Sequence, residues 1–428
     1  MPDRPPEPDA RAGDITADLF RRESARLVAM LAGQFGTHRL QLAEDVVQEA
    51  LVRALQTWPY RGVPENPAAW LTQTARNLAL DYLRREQNWR AKEDGIAHEH
   101  ERWSAGPGPR EENADTFTDD TLRMMFVCFH PQLSPEAQTA LALRTLCGLS
   151  PAEIAAAFLT TEAAIAKRLV RARQRIRELA LPFVVPAPDE LPARLDGVLA
   201  TLYLLFNEGY KASSGDRLVR EELCHEAIRL ALQLAGHPAT RQPRTHALLA
   251  LMLFNGARLS ARTGETGNLL RLHEQDRATW NQSMIQRGLH YLALASTGER
   301  VSEYHLQAGI AACHSVVAEE AATDWPRILA LYDELARLNP SPVVALNRAV
   351  AVARVHGPRA GLAALDASAT RSALDGYSPY HAVRGTFALE LGNKPEALAH
   401  FRRAEALTTL PSEREFLAKR VNECAAGI

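Results

Sequence analysis

Residues 148–178, GLSPAEIAAAFLTTEAAIAKRLVRARQRIRE, carry two helix starts separated by a short turn. Ser150-Pro151-Ala152-Glu153 forms a capping box with proline at the first helical position, where its missing N–H costs nothing. The short helix it opens, Glu153 to Phe158, ends at Leu159-Thr160-Thr161, where a threonine can cap the next helix. In that next helix, 162–178, Ile165, Leu169, Ala172 and Ile176 make an apolar packing stripe. Arg168, Arg171 and Arg175 fall on a different side, flanked by Lys167, Arg173 and Arg177. Upstream, Ser134-Pro135 caps a helix with Ala140, Leu141, Leu143 and Leu146 that runs to Gly148.

A short helix, a tight turn and a basic second helix form the geometry that puts side chains into the major groove of DNA. An Arg-rich solvated helix of a bundle is the competing reading; the density of basic residues directly behind the turn favours DNA. The expected DNA contacts are Thr161 at the start of the helix, Glu162, Ala163 and Lys167 towards the base edges, and Arg168, Arg171 and Arg175 on phosphates.

Working outward, residues 15–94 are helical by pattern, with Leu27, Met30 and Leu31 and then Val46, Val47, Ala50, Leu51, Ala54 and Leu55 at helical spacing. In residues 43–55, AEDVVQEALVRAL, Asp45, Gln48 and Glu49 form an acidic-polar face opposite the apolar one. Such a face suits a basic protein partner, though on these residues alone plain solvent exposure is the favoured reading. Residues 65–86, ENPAAWLTQTARNLALDYLRRE, interleave aromatic and basic side chains, the surface that single-stranded nucleic acid needs. Trp70 is expected to serve partly as core.

Composition supports an all-helical chain. Of 428 residues, 46% are hydrophobic and only 6% aromatic, and Ala, Leu and Arg dominate most segments, which favours helix over sheet. The length implies more than one domain. The net charge of −2 confines any nucleic-acid surface to a local patch. Five scattered cysteines without a CxxC argue for a reducing compartment and against a structural zinc. The N-terminus lacks the apolar core of a signal peptide, and the charge-free stretch Thr245–Ala257 is too short to span a bilayer. No cofactor, metal or membrane partner is expected, and the location is expected to be cytoplasmic.

Residues 1–14 read as a disordered tail. Residues 95–118 lose periodicity and read as a linker, 119–182 are the helix-turn-helix zone, and 183–192 are a Pro-rich linker. Residues 193–320 form a helical extension without a clean period, open to either a bundle or an irregular solenoid. In 321–428 a repeat of about 34 residues emerges. Its last unit, Gly385, Gly392, Ala397, Phe401 and Ala404, has the spacing of a tetratricopeptide repeat (TPR). The unit before it, with Val350 and Leu362 at the small positions, is degenerate. In Leu202–Tyr210, LYLLFNEGY, the aromatics are core by spacing, while buried Asn207 and Glu208 need partners. The block is expected to mark where the extension packs on the helix-turn-helix zone.

Taken together, the three strings resemble the extracytoplasmic-function sigma factors of the sigma-70 superfamily, over residues 16–182. The continuation resembles a subgroup with a long C-terminal TPR-like extension. The resemblance implies an alternative sigma factor that binds core RNA polymerase. Residues 15–94 then correspond to region 2, with Asp45, Gln48 and Glu49 docking on the β′ coiled coil. The loop from Arg61 to Pro67 and the helix behind it melt and hold the −10 promoter element. The matching residues are Arg61, Asn66, Trp70, Arg76, Asn77, Asp81, Arg84 and Arg85. Residues 119–182 correspond to region 4, which reads the −35 element and binds the β flap. The extension is expected to regulate in cis and to offer a surface to a protein partner.

Rival classes fit less of the chain. No GxxxxGK[ST], complete GxGxxG, GxSxG or HExxH is present, so no catalytic residues are expected. A helix-turn-helix regulator with a TPR-type sensor domain is the alternative, but it leaves both strings of the first zone unused.

Overall fold

The computed structural model describes residues 10–93, 119–181, 183, 186–213, 218–264, 268–366 and 371–426. The expected linker 95–118 and the first nine residues of the expected tail lie outside the described residues. Among the described residues the chain is helical, with one isolated bridge between Thr263 and Leu269 and no strand. The helices are α1 (Ala10–Phe35), α2 (Leu40–Arg61), α3 (Pro67–Glu93), α4 (Asp120–Cys128), α5 (Pro135–Thr145), α6 (Pro151–Ala157), α7 (Glu162–Leu179) and α8 (Leu191–Tyr210). They continue as α9 (Glu221–Gly236), α10 (Pro243–Gly256), α11 (Gln282–Ala295), α12 (Glu303–Ser315), α13 (Trp325–Leu338) and α14 (Pro342–His356). The last are α15 (Pro358–Asp366), α16 (Arg371–Leu374), α17 (Ser378–Glu390), α18 (Lys394–Leu407) and α19 (Pro411–Ala425).

Two limits differ from the sequence expectation. Residues 10–14, read as tail, belong to α1, because adding residues to an existing helix costs far less than starting one. Helix α5 stops at Thr145, and Gly148, at φ +67°, carries the turn that follows.

The chain divides into two compact units, one of residues up to Thr201 with His237–Ala239, the other of Leu202–Gly236 and Thr240 onward. In the first, α1 packs against α2, α3 and α4. Leu27, Leu31, Val47, Ala50, Leu71 and Ala75 are fully buried there, each leucine removing apolar surface that stabilises the fold by roughly 1.5–3 kcal/mol. The first half of α8 also belongs to this unit. Arg194 donates to the Phe126 carbonyl at 3.1 Å, and Gly197 sits so close to the Phe129 ring that a Cβ would meet it at 2.3 Å.

In the second unit the LYLLFNEGY block finds its partners locally. Glu208, 5% exposed, accepts from the Ser213 amide at 3.0 Å and hydroxyl at 3.2 Å and pairs with Arg220. Gly209 has no room for a Cβ, which would lie 2.8 Å from the Arg220 carbonyl and the Cys224 amide. Tyr203 donates to Gln307, and Tyr210 accepts from Arg258 while Arg262 stacks on its ring. The buried carboxylate thus has the hydrogen-bonding partners that its burial requires.

At the C-terminal end α17 and α18 form an antiparallel pair. Gly392, at φ +80°, makes the turn, and Ala397, Phe401 and Ala404 are buried. Gly385 admits the Phe401 ring, which would lie 2.9 Å from an added Cβ. In the pair before it, Gly357 makes the corresponding turn at φ +89°, and Gly361 gives the close approach to α14 that Leu362 does not.

Candidate nucleic-acid interface

The helix-turn-helix is built by its caps. Ser150 Oγ accepts from the Glu153 amide at 3.2 Å, and the Glu153 carboxylate accepts from the Ser150 amide at 2.6 Å, which fixes the start of α6. The turn after α6 places non-glycine Leu159 at φ +50°, a strained left-handed position. Thr161 then caps α7 by accepting from the Ala164 amide at 3.3 Å. Ile165, Leu169, Ala172 and Ile176 are all buried, so the predicted stripe seats α7 on α5 and α6.

That seating sorts the basic residues. Thr161, Glu162, Ala163, Lys167, Arg171 and Arg175 are exposed. Arg168 is half-buried, with its guanidinium 5.5 Å from the Phe158 ring centroid. Arg175 donates to Gln132 at 2.9 Å and pairs with Glu178 at 3.3 Å. Arg173 turns inward to Glu44, at 2.9 Å. Lys167, Arg171 and, near the end of the helix, Arg177 are left facing solvent. The same face carries Val170, 63% exposed, and Gln174, neither of which the sequence reading selected. Placing residues on the wheel opposite the buried stripe finds them; counting charges does not.

In the first zone Asp45, Gln48 and Glu49 are exposed together on α2. Asp45 accepts from Gln41 at 2.9 Å and Glu49 pairs with Arg53 at 2.6 Å, both exposed contacts that a partner's cations can replace at small cost. Exposed Val52 and Leu55 extend this face. Glu44, one turn before Gln48, is 8% exposed, with its carboxylate taken up by Thr145 and Arg173.

Of the residues matched to the −10 element, Arg61 ends α2, Asn66 precedes α3 and the rest are spread along α3. From Pro67 to Arg85 the helix rises roughly 27 Å at 1.5 Å per residue, so they form a track and not one pocket. Trp70, Asn77, Asp81 and Arg84 share one face. Trp70 packs edge-on against Trp58 at 5.6 Å, and Trp58 contacts Phe20 at 5.4 Å, which gives Trp70 the partly structural role expected of it. Asn66 caps α3 by accepting from the Ala69 amide at 3.0 Å. Arg61, Asn77, Asp81, Arg84 and Arg85 are exposed, with Arg84 and Asp81 3.8 Å apart, while Arg76 is half-buried. Tyr60, 89% exposed beside Arg61, is a stacking surface that the sequence reading passed over.

Among the described residues no cluster of three or more His, Cys, Asp or Glu side chains could hold a metal. No described helix is long and apolar enough to cross a membrane.

Three family models match the chain: sigma-70 region 2 at residues 20–90, sigma-70 region 4 at 123–176, and a family of unknown function (DUF6596) at 194–296. An uncharacterized protein of Rhizobium meliloti is 41% identical over 409 residues, covering 94% of this chain and 95% of its own. The ECF RNA polymerase sigma factor SigG of Mycobacterium tuberculosis is 28% identical over 51% of this chain and 62% of its own. The ECF RNA polymerase sigma-E factor of Haemophilus influenzae is 28% identical over 33% of this chain and 75% of its own. No solved structure matches. With both sigma regions in order, each carrying its expected helices, and ECF sigma factors among the relatives, the protein belongs to the extracytoplasmic-function sigma factors of the sigma-70 superfamily, in a form with a long C-terminal helical extension.

Proposed function

We propose that this sigma factor docks on the polymerase β′ coiled coil through Asp45, Gln48 and Glu49, and opens the −10 element along the track from Arg61 to Arg85. It reads the −35 element with α7, from Thr161 to Arg175, while region 4 meets the β flap. The observation that carries the reading is the solvent face of α7. Its apolar stripe is buried, and Lys167 and Arg171 stand exposed on the free side with no carboxylate pairing with them among the described residues. Residues 15–94 and 119–182 act as the two promoter-reading domains, joined by 95–118.

Polymerase docking is tested by co-elution with core polymerase. Reversing Asp45 and Glu49 to Lys removes co-elution if this face docks, and leaves it intact if another surface does. Residues 193–320 and the TPR-like repeats of 321–428, set off by the Pro-rich 183–192, regulate in cis and present a surface to a protein partner. A truncation tests this, provided it spares the first half of α8, which is tied to the first unit through Arg194 and Gly197. Ending the chain after Thr201 raises transcription if the extension masks the promoter-reading domains and lowers it if the extension supports the polymerase complex. Unchanged transcription would contradict cis regulation.

A further inference from the structure

Inside the second unit, arginines from three separate segments gather around a few aromatic rings. Arg258 and Arg262 follow α10, Arg277 precedes Trp280, and Arg354 lies in the last turn of α14. The Arg258 guanidinium lies 5.5 Å from the Tyr210 ring centroid and 5.9 Å from that of Trp280. Arg262 stacks on Tyr210 at 3.6 Å and Arg277 on Trp280 at 5.0 Å, so each ring is shared by two cations. Arg277 donates to the His314 and Val317 carbonyls. The His314 ring meets Trp325 edge-on at 5.3 Å, and Trp325 carries Arg354 at 5.4 Å.

Little negative charge answers these cations. Arg258 donates to the Tyr210 hydroxyl, Arg262 to the Tyr210 carbonyl and Arg277 to its two carbonyls, and none of the three has a carboxylate within ion-pair distance among the described residues. Arg354 pairs with Glu320 at 3.6 Å, and Glu413, which acts on Arg262 from further away, is paired with Lys211 at 2.6 Å. A helix C-terminus carries roughly half a negative charge, so the ends of α8 and α12 together with Glu320 offset roughly two of the four positive charges. Yet Arg262 and Arg277 are only 7% and 8% exposed, and charge so far from water is normally paired. Donors are left over as well. Arg277 Nη2 and Trp280 Nε1 are buried with no hydrogen-bond partner among the described residues, and so is His314 Nδ1. Burial, reinforced by Arg258, Arg277 and Arg354, holds the His314 pKa down to about 4, so its ring adds no charge near pH 7 but can still donate a hydrogen bond.

An oxyanion supplies what is missing. A guanidinium grips carboxylate or phosphate through paired N–H donors at its edge, which stacking on an aromatic face leaves free. Half-buried Arg258 and His314 and exposed Arg354 give access from solvent, while the burial of Arg262 and Arg277 suits one compact anionic group and not an extended acidic chain. We infer that the extension binds a small ligand through a phosphate or carboxylate group held by Arg258, Arg277, His314 and Arg354, with Arg262 fixing Tyr210 beside it. This goes beyond cis regulation by giving the extension a ligand of its own.

The site is tested by isothermal titration calorimetry on the full chain at fixed ionic strength in chloride, with inorganic phosphate and citrate as separate probes. Saturable binding of phosphate supports a phosphate-bearing ligand, and saturable binding of citrate a polycarboxylate. Arg258→Gln weakens that binding by about ten- to hundredfold, the loss expected for one charge-assisted contact. Arg354→Gln, at an exposed side chain where folding is not at stake, weakens it severalfold, whereas Arg402→Gln at an exposed position of α18 leaves it unchanged. No saturable binding of either probe, or binding that Arg258→Gln and Arg354→Gln leave untouched, overturns the inference. So does an unfolding midpoint that Arg258→Gln lowers equally with and without the probe, which marks the arginines as purely structural. The readout contains neither DNA nor polymerase, so it stands or fails separately from the promoter-reading assignment.

Discussion

Removing a single basic side chain from α7 should alter the salt dependence of promoter binding according to how that side chain is held. A protein–phosphate contact contributes about 0.9 to the slope of log K against log salt, because each releases a condensed counterion. Between 50 and 200 mM salt, one such contact is worth about 3.5-fold in affinity. Lys167 and Arg171 are exposed, so Arg171→Ala is expected to lower the slope by close to the full 0.9, and Lys167→Ala by the same amount wherever its ammonium meets phosphate and not a base. Arg175 already donates to Gln132 and pairs with Glu178, so Arg175→Ala is expected to change the slope less. The assay is fluorescence anisotropy of a labelled promoter duplex titrated with the polymerase-bound protein over that salt range. An Arg171→Ala slope equal to the unaltered one, or an Arg175→Ala loss as large as that of Arg171→Ala, would refute the sorting of the α7 cations.

Three further outcomes follow from the packing and the charges. Ser150→Ala removes half of the capping box, costs about 1 kcal/mol, and speeds hydrogen exchange at the first amides of α6 without changing exchange in α17 or α18. Gly197→Val forces a side chain into the Phe129 ring, so the first half of α8 loses protection at an expected cost of about 1–3 kcal/mol; Gly197→Ala is milder. Burial, with Arg258, Arg277 and Arg354 nearby, lowers the His314 pKa to about 4. The folded state thus binds this proton less readily than the unfolded chain. Its contribution is intact above pH 6.5 and lost as pH falls from 6.5 towards 4, so the unfolding midpoint drops over that window and His314→Asn flattens the drop.

Local signals in the sequence carried far. The capping box at Ser150, the N-caps at Ser134 and Thr161 and the stripe from Ile165 to Ile176 concern residues within one or two helical turns of each other, and all were legible. The close approach of α17 and α18 at Gly385 was legible too, because the repeat spacing encodes the small positions, but the spacing did not show that Phe401 fills the gap within this pair. Contacts between distant segments were not. Glu44 and Arg173 are 129 residues apart, and on a wheel Glu44 is merely one more acid beside Asp45. Gly197 reads as a helix-weakening residue until Phe129 is brought against it. The strained Leu159 also escaped notice, since leucine at a left-handed position has no signature in the sequence. The residues proposed for the −10 element came one by one from the resemblance, and only the helix shows how α3 spaces them, with Trp70 packed against Trp58.

The most direct test of the account is run-off transcription by purified core polymerase, with and without this protein, on a library of upstream promoter regions. The account predicts specific transcripts that appear only with the protein and vanish when Arg84 and Arg85, or Lys167 and Arg171, are changed to alanine. Specific transcripts that survive both pairs of substitutions would contradict the assigned interfaces, and the absence of any transcript from a polymerase that retains the protein would contradict promoter reading itself.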